Sequence, residues 1–173
     1  LIGSSLLRAI KQHKISKKIF VYEKSKVNIS KIKKLKLPCT IIKNFKTIIP
    51  ISDLIIFCTP MSEYEKIILK INTYLSPKTI ITDVGSSKES SLALIKKKLK
   101  KGISWTSSHP ITGSEVSGPE FGNRNLFLDK WCILIKEKNS NKKHLRSLNK
   151  FWKKIGSKVV TMDSKKHDTV FSM

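Results

Sequence analysis

The sequence is short of acidic residues, arginine, cysteine and long apolar runs, and each shortage closes off a class of protein. Asp and Glu number 12 against 35 Lys and Arg, a formal net charge of +23. Such a surplus invites a nucleic-acid reading, because basic side chains that neutralise phosphates bind polyanions with steep salt dependence. Only Arg8, Arg124 and Arg146 are arginine, however, and bidentate readout of bases and phosphates favours that side chain. The lysines are spread along the chain, and "KKKLKK" at 96 to 101 has the pattern of a solvated helix face. A general lysine bias fits better than a dedicated nucleic-acid surface, and its field favours anionic substrates.

Cys39, Cys58 and Cys132 are odd in number, far apart, and each within or beside an apolar run. With no CxxC or Cys/His metal spacing, they predict buried free thiols in a reducing cytoplasm and no metal site. The longest apolar runs, such as "DLIIFC" and "KTIITDV", fall far short of the roughly 20 residues a spanning helix needs. No membrane segment is predicted. What remains, 173 residues with 39% hydrophobic content, suits one domain with a sizeable core.

Along the chain, β-branched apolar runs alternate with helical patterns, the signature of βαβ units and a mainly parallel sheet. The pattern predicts helices over 1–12, 28–36, 62–75, 88–101 and 141–154. It predicts strands at 18–23, 39–43, 53–59, 79–84, 104–109, 130–136 and 157–162, with a further helix starting near 167. The expected fold class is α/β, a Rossmann-like doubly wound, mainly parallel sheet. Such a sheet opens on a buried strand and a glycine-rich turn; this pattern opens on a helix, so the expectation is a sheet lacking its first strand and a chain cut at both ends.

Gly3 fits the third glycine of a GxGxxG fingerprint, which sits just inside the first helix and lets it pack on the sheet. Glu23 ends the next strand, 20 residues later, where an acidic side chain accepts hydrogen bonds from the ribose of NAD. A 2′-phosphate would meet a like charge there, so NAD is favoured, with NADP possible because Lys24 and Lys26 lie close in sequence. In a doubly wound sheet ligands lie at the carboxyl ends of strands. This places Thr59 and Pro60 of "FCTP", and then Asp83 and Gly85 of "TDVGSS", beside the cofactor. The same residues also have structural readings: Ser62 as a helix cap, and Ser86 with Glu89 as a capping box.

His109 ends the following strand in "SWTSSHPITGSEVSGPEFGN", the one histidine set among Pro, Gly, Ser and Glu. By composition the stretch reads as an elaborate turn or as a site. Pro110 holds His109 in the extended region, and a neutral imidazole at a strand's carboxyl edge can take a proton from a hydroxyl. His13, His144 and His167 lack this setting, and His13 and His144 are expected on lysine-rich helix surfaces.

"DVGSSK", "SSHPITGSEVSG" and "HDTVFSM", after "LIGSSL" and "FCTP", closely resemble the prephenate/arogenate dehydrogenases of tyrosine biosynthesis. The resemblance implies NAD- or NADP-dependent oxidation of prephenate or arogenate with loss of CO2. It implies His109 as the catalytic base and Ser86 as a hydrogen-bond partner of the substrate hydroxyl. It implies Glu115, with Thr112 and Gly113, as pocket or gating residues. It divides the chain into a nucleotide-binding domain over 1–162 and, at 163–173, the start of a connection to a helical domain. That absent domain would make a homodimer and complete the substrate pocket, so little activity is expected from these residues alone. Two other readings stand beside this one: another Rossmann-type hydroxy-acid dehydrogenase, and a basic nucleic-acid-binding domain.

Overall fold

The computed structural model describes residues 1–171; Ser172 and Met173 of the "HDTVFSM" motif lie outside the described residues. Helix α1 (Ile2–Gln12) leads to strand β1 (Phe20–Tyr22), α2 (Lys26–Lys34) and β2 (Thr40–Ile42). Strand β3 (Leu54–Phe57), α3 (Tyr64–Ile71), β4 (Ile80–Asp83) and α4 (Glu89–Lys98) repeat the unit. Strands β5 (Ser108–Pro110) and β6 (Trp131–Ile135), α5 (Lys142–Lys154), β7 (Lys158–Met162) and α6 (Ser164–Phe171) complete the order.

Parallel ladders join β1 to β2, β3 to β4, and β6 to β7, while β5 runs antiparallel to β6. The predicted strand at 104–109 is split. Trp105 bridges Ile81 of β4, the Ser107 carbonyl accepts from the Ile135 amide at 2.9 Å, and regular pairing starts only at Ser108. One run of pairing therefore extends from β3 to β7, whereas β1–β2 form a ladder of their own. Among the described residues no ladder joins these two groups.

The sheet is covered on both faces, because successive side chains of a strand point to opposite sides. Ile55, Phe57, Ile81, Ile133 and Ile135 pack with Tyr64, Ile68 and Ile71 of α3 and Leu92 and Ile95 of α4. Leu54, Ile56, Ile80, Cys132 and Leu134 pack with Leu6, Ala9 and Ile10 of α1 and Leu148, Phe151 and Trp152 of α5. Along β6, Cys132 and Leu134 go to one layer and Ile133 and Ile135 to the other.

Helix starts depart from expectation in two places. Ser62 caps nothing: α3 is entered through a 3-10 turn, Met61–Glu63, with no side-chain cap. The Ser86–Glu89 capping box does not form either. The amides of Lys88 and Glu89 instead donate to the Asp168 carboxylate of α6, at 2.9 and 2.8 Å, a stronger acceptor for a helix N-terminus than a neutral hydroxyl. His144 is also misplaced by its lysine neighbours; it is buried and its Nδ1 lies 2.9 Å from the Ser104 hydroxyl. Of the thiols only Cys132 is fully buried, and Cys58 is exposed.

Candidate functional site

The carboxyl ends of β3 and β4 and the loop after β5 surround a cleft of about 340 Å³. Five expected site residues line it together: Gly3, Thr59, Gly85, Thr112 and Gly113. Gly3 is there because α1 runs close over the end of β3; a Cβ on it would come within 3.3 Å of the Cys58 Cβ. That approach points the first turn of α1 at the cleft, where its N–H groups lack intrahelical acceptors. Thr59 adds a buried hydroxyl with no hydrogen-bond partner among the described residues.

The opposite wall comes from the loop joining β5 to β6, which is tied down across α1 and α2. The Asn123 amide donates to the Ser5 hydroxyl at 3.0 Å, Arg8 donates to the Pro119 carbonyl at 3.3 Å, and Lys31 pairs with Glu120. Thr112 turns its hydroxyl to the Leu126 carbonyl, 3.1 Å away, so that it fixes the loop from within.

Glu23 stands apart from this cleft, at the rim of a separate depression shared with Tyr22, Ile29 and Lys33. Its carboxylate is aimed by the Ser25 amide at 2.8 Å and the Asn28 side-chain amide at 3.3 Å. Lys24 is drawn away from it into an ion pair with Glu63 at 2.9 Å.

Asp83 does not reach the cleft surface. Its side chain is wholly buried and paired with the equally buried Lys88 ammonium at 2.7 Å. It also accepts from Tyr64 Oη at 3.2 Å, Trp105 Nε1 at 3.1 Å and the Gly85 amide at 3.1 Å. Lys88 donates onward to the Ser108 carbonyl at 2.8 Å, locking the residue before His109 to the end of β4. Burial and the adjacent carboxylate push the Tyr64 phenol far up, so it stays a neutral donor. A buried, hydrogen-bonded ion pair sets position; breaking it by losing one partner is strongly destabilising.

His109 is half-buried on β5. Burial, then the Lys88 charge, pull its imidazole down to about 4, against smaller opposing effects of Asp83 and Asp168. At neutral pH it is an uncharged base. Its Nδ1 lies 2.8 Å from Nε2 of His167, whose own Nδ1 lies 2.7 Å from an Asp168 oxygen. Phe171 packs edge-on against the His109 ring at 5.8 Å. Ser86, Pro60 and Glu115 are exposed, and none of them lines the cleft.

His167, Asp168 and Lys88 are the residues that sequence reasoning left without a role. The signal available was the His-Asp pair opening a helix after the last strand; nothing in the spacing says that this helix folds back onto β5.

The chain matches the family model described as the prephenate dehydrogenase nucleotide-binding domain over residues 6–161. It belongs to the prephenate dehydrogenase family. Cyclohexadienyl dehydrogenase from Zymomonas mobilis is 27% identical over 173 residues, covering 100% of this chain and 59% of that protein. Prephenate dehydrogenase from Aquifex aeolicus, solved with hydroxyphenyl propionate and NAD+, superposes with a TM-score of 0.89 at 28% identity, covering 99% and 60% of the two chains. Synechocystis arogenate dehydrogenase shares the fold at a TM-score of 0.84 and 20% identity, with 98% and 59% covered. The chain thus spans about three fifths of these relatives. Within the prephenate dehydrogenase nucleotide-binding domain, the matched span takes in His109, Ser86 and the Asp83–Lys88 pair but stops short of His167 and Asp168. Among the described residues no helix is long and apolar enough to cross a membrane, and no group of three or more His, Cys, Asp or Glu could hold a metal ion.

Proposed function

We propose that this chain is the nucleotide-binding half of an enzyme that oxidatively decarboxylates prephenate to 4-hydroxyphenylpyruvate, or arogenate to tyrosine, using NAD. The observation that carries the reading is the neutral, half-buried His109 on the strand that runs into the cleft wall at Thr112 and Gly113.

The residues present fit a dinucleotide. The first turn of α1 suits the phosphates, the unpaired Thr59 hydroxyl can face the ligand in the cleft, and the oriented Glu23 carboxylate can accept from ribose hydroxyls. That carboxylate would repel a 2′-phosphate, which favours NAD. Bound NAD supplies the hydride acceptor. His109 takes the proton of the ring hydroxyl as hydride leaves the carbon that bears it, and the bond to the ring carboxylate breaks to release CO2 and leave an aromatic ring. The exposed Ser86 hydroxyl, with no hydrogen-bond partner among the described residues, is available to the same substrate hydroxyl. Glu115, exposed on the same loop but outside the lining that Thr112 and Gly113 share, is assigned a gating role.

The test is turnover of prephenate and of arogenate by the full-length chain, followed as NADH absorbance, with and without His109→Asn. Loss of a general base lowers the rate by about 10²–10⁴; a fall of less than about tenfold would remove His109 from that role.

A further inference from the structure

The histidine proposed as base does not stand alone, and the order of its hydrogen bonds has a direction. Asp168 fixes it. Burial pushes its carboxyl up, but the Glu89 and Lys88 amides and the His167 ring outweigh that and hold it below the usual range. It is therefore ionised and can only accept. Two backbone amides already anchor it, at 2.8 and 2.9 Å, so the 2.7 Å contact to His167 requires a proton on His167 Nδ1.

On a neutral His167 ring that proton leaves Nε2 with a lone pair. It faces His109 Nδ1 at 2.8 Å, so His109 Nδ1 must carry the hydrogen and His109 Nε2 is left as the free acceptor. His167 has no solvent-exposed surface, so water does not compete for either of its nitrogens. We infer that His167 and Asp168 are positioning residues that hold His109 in the Nδ1–H tautomer, with Nε2 presented as the base, and that α6 is thereby part of the catalytic wall. This rests on the proposed function for its kinetic consequence but not for its tautomer. The logic is that of the carboxylate that orients the imidazole in a serine protease triad, extended by a second ring.

Asp168→Asn inverts the relay. The asparagine carbonyl can keep the Lys88 and Glu89 amides, so its amino group donates to His167 Nδ1; His167 then protonates at Nε2, donates to His109 Nδ1, and His109 becomes the Nε2–H form. Nitrogen-15 NMR of the imidazoles in the full-length chain reads this directly and needs no substrate. The parent is expected to show His109 as the Nδ1–H tautomer and D168N as the Nε2–H tautomer. In turnover, D168N and His167→Leu are expected to lose about 10²-fold or more in kcat with KM within about threefold. His167→Gln, whose carbonyl can accept from His109 Nδ1, is expected to stay within about tenfold of the parent in kcat.

The acid limb of kcat/KM is a second readout. His109 is faced by Lys88 and Asp83 from the β4–α4 side and by His167 and Asp168 from α6; D168N removes one negative charge from that set, so the limb is expected to move to lower pH, and the tautomer separates positioning from a merely structural role. An Nε2–H tautomer in the parent overturns the inference whatever the activity. So does full kcat in H167L. A parent that oxidises neither substrate sinks the proposed function alone, and the tautomer measurement still decides the relay; if D168N does not fold, the parent spectrum and the two His167 variants decide it.

Discussion

Burial tunes His109 and His144 in the same direction and for the same reason. Desolvation leads in both, assisted by Lys88 at His109 and by Lys143 at His144. Each ring is harder to protonate in the folded chain than in the unfolded one, which takes up protons near the ordinary value of about 6.5. Between that pH and about 4 the unfolded state binds more protons, so stability falls as the pH falls. The urea midpoint is expected to drop between pH 7 and pH 5, and His109→Asn to flatten that drop. A midpoint indifferent to pH across this window would contradict the assigned burial. The placement of His109 on a strand was legible from its setting before Pro110. The burial of His144 and His167 was not, because neighbouring lysines describe only the outer face of a helix, and the opposite face is decided by what packs against it.

At the scale of elements, the β5–β6 loop and α6 hold the two sides of the site. The loop lies hard against α1: a Cβ on Gly122 would stand 3.0 Å from the Ser4 carbonyl carbon, with the Ser4 and Arg8 side chains closer still. Backbone cannot yield there as a flexible side chain can. Gly122→Ala is expected to lower stability by about 1–3 kcal/mol, the usual range for overpacking, read from denaturant unfolding; an unchanged midpoint would mean the loop is not seated on α1. The sequence marked this loop through its Pro, Gly and Ser content but not its anchors, Ser5, Arg8 and Lys31, which lie 118, 111 and 89 residues away. The capping box at Ser86 failed for a related reason. A local motif competes with every distant group the fold brings up, and an ionised carboxylate from α6 offered the better acceptor.

At the scale of the whole molecule, a net charge of +23 sets a field but names no ligand. A dinucleotide carries one pyrophosphate, so NAD affinity is expected to fall with log salt with a slope no steeper than about −2, whereas six or more phosphate contacts give about −5 or steeper. Titrating the full-length chain with NAD and with duplex DNA over a range of salt separates the two. Tight DNA binding with the steeper slope would revive the nucleic-acid reading.

The sequence by itself determined the alternation of strands and helices, the mainly parallel α/β class, and the position of His109 at a carboxyl edge. These follow from side-chain period and strand order, which are local or ordinal properties. Only the tertiary structure decided that Asp83 is a buried partner of Lys88 rather than a cleft residue, that Thr59 keeps an unpaired hydroxyl beside Gly3, and that His167 and Asp168 close on His109. Those depend on which chemical groups meet in space after the chain has folded, and hydrogen bonds across 58 or 80 residues leave no trace in spacing.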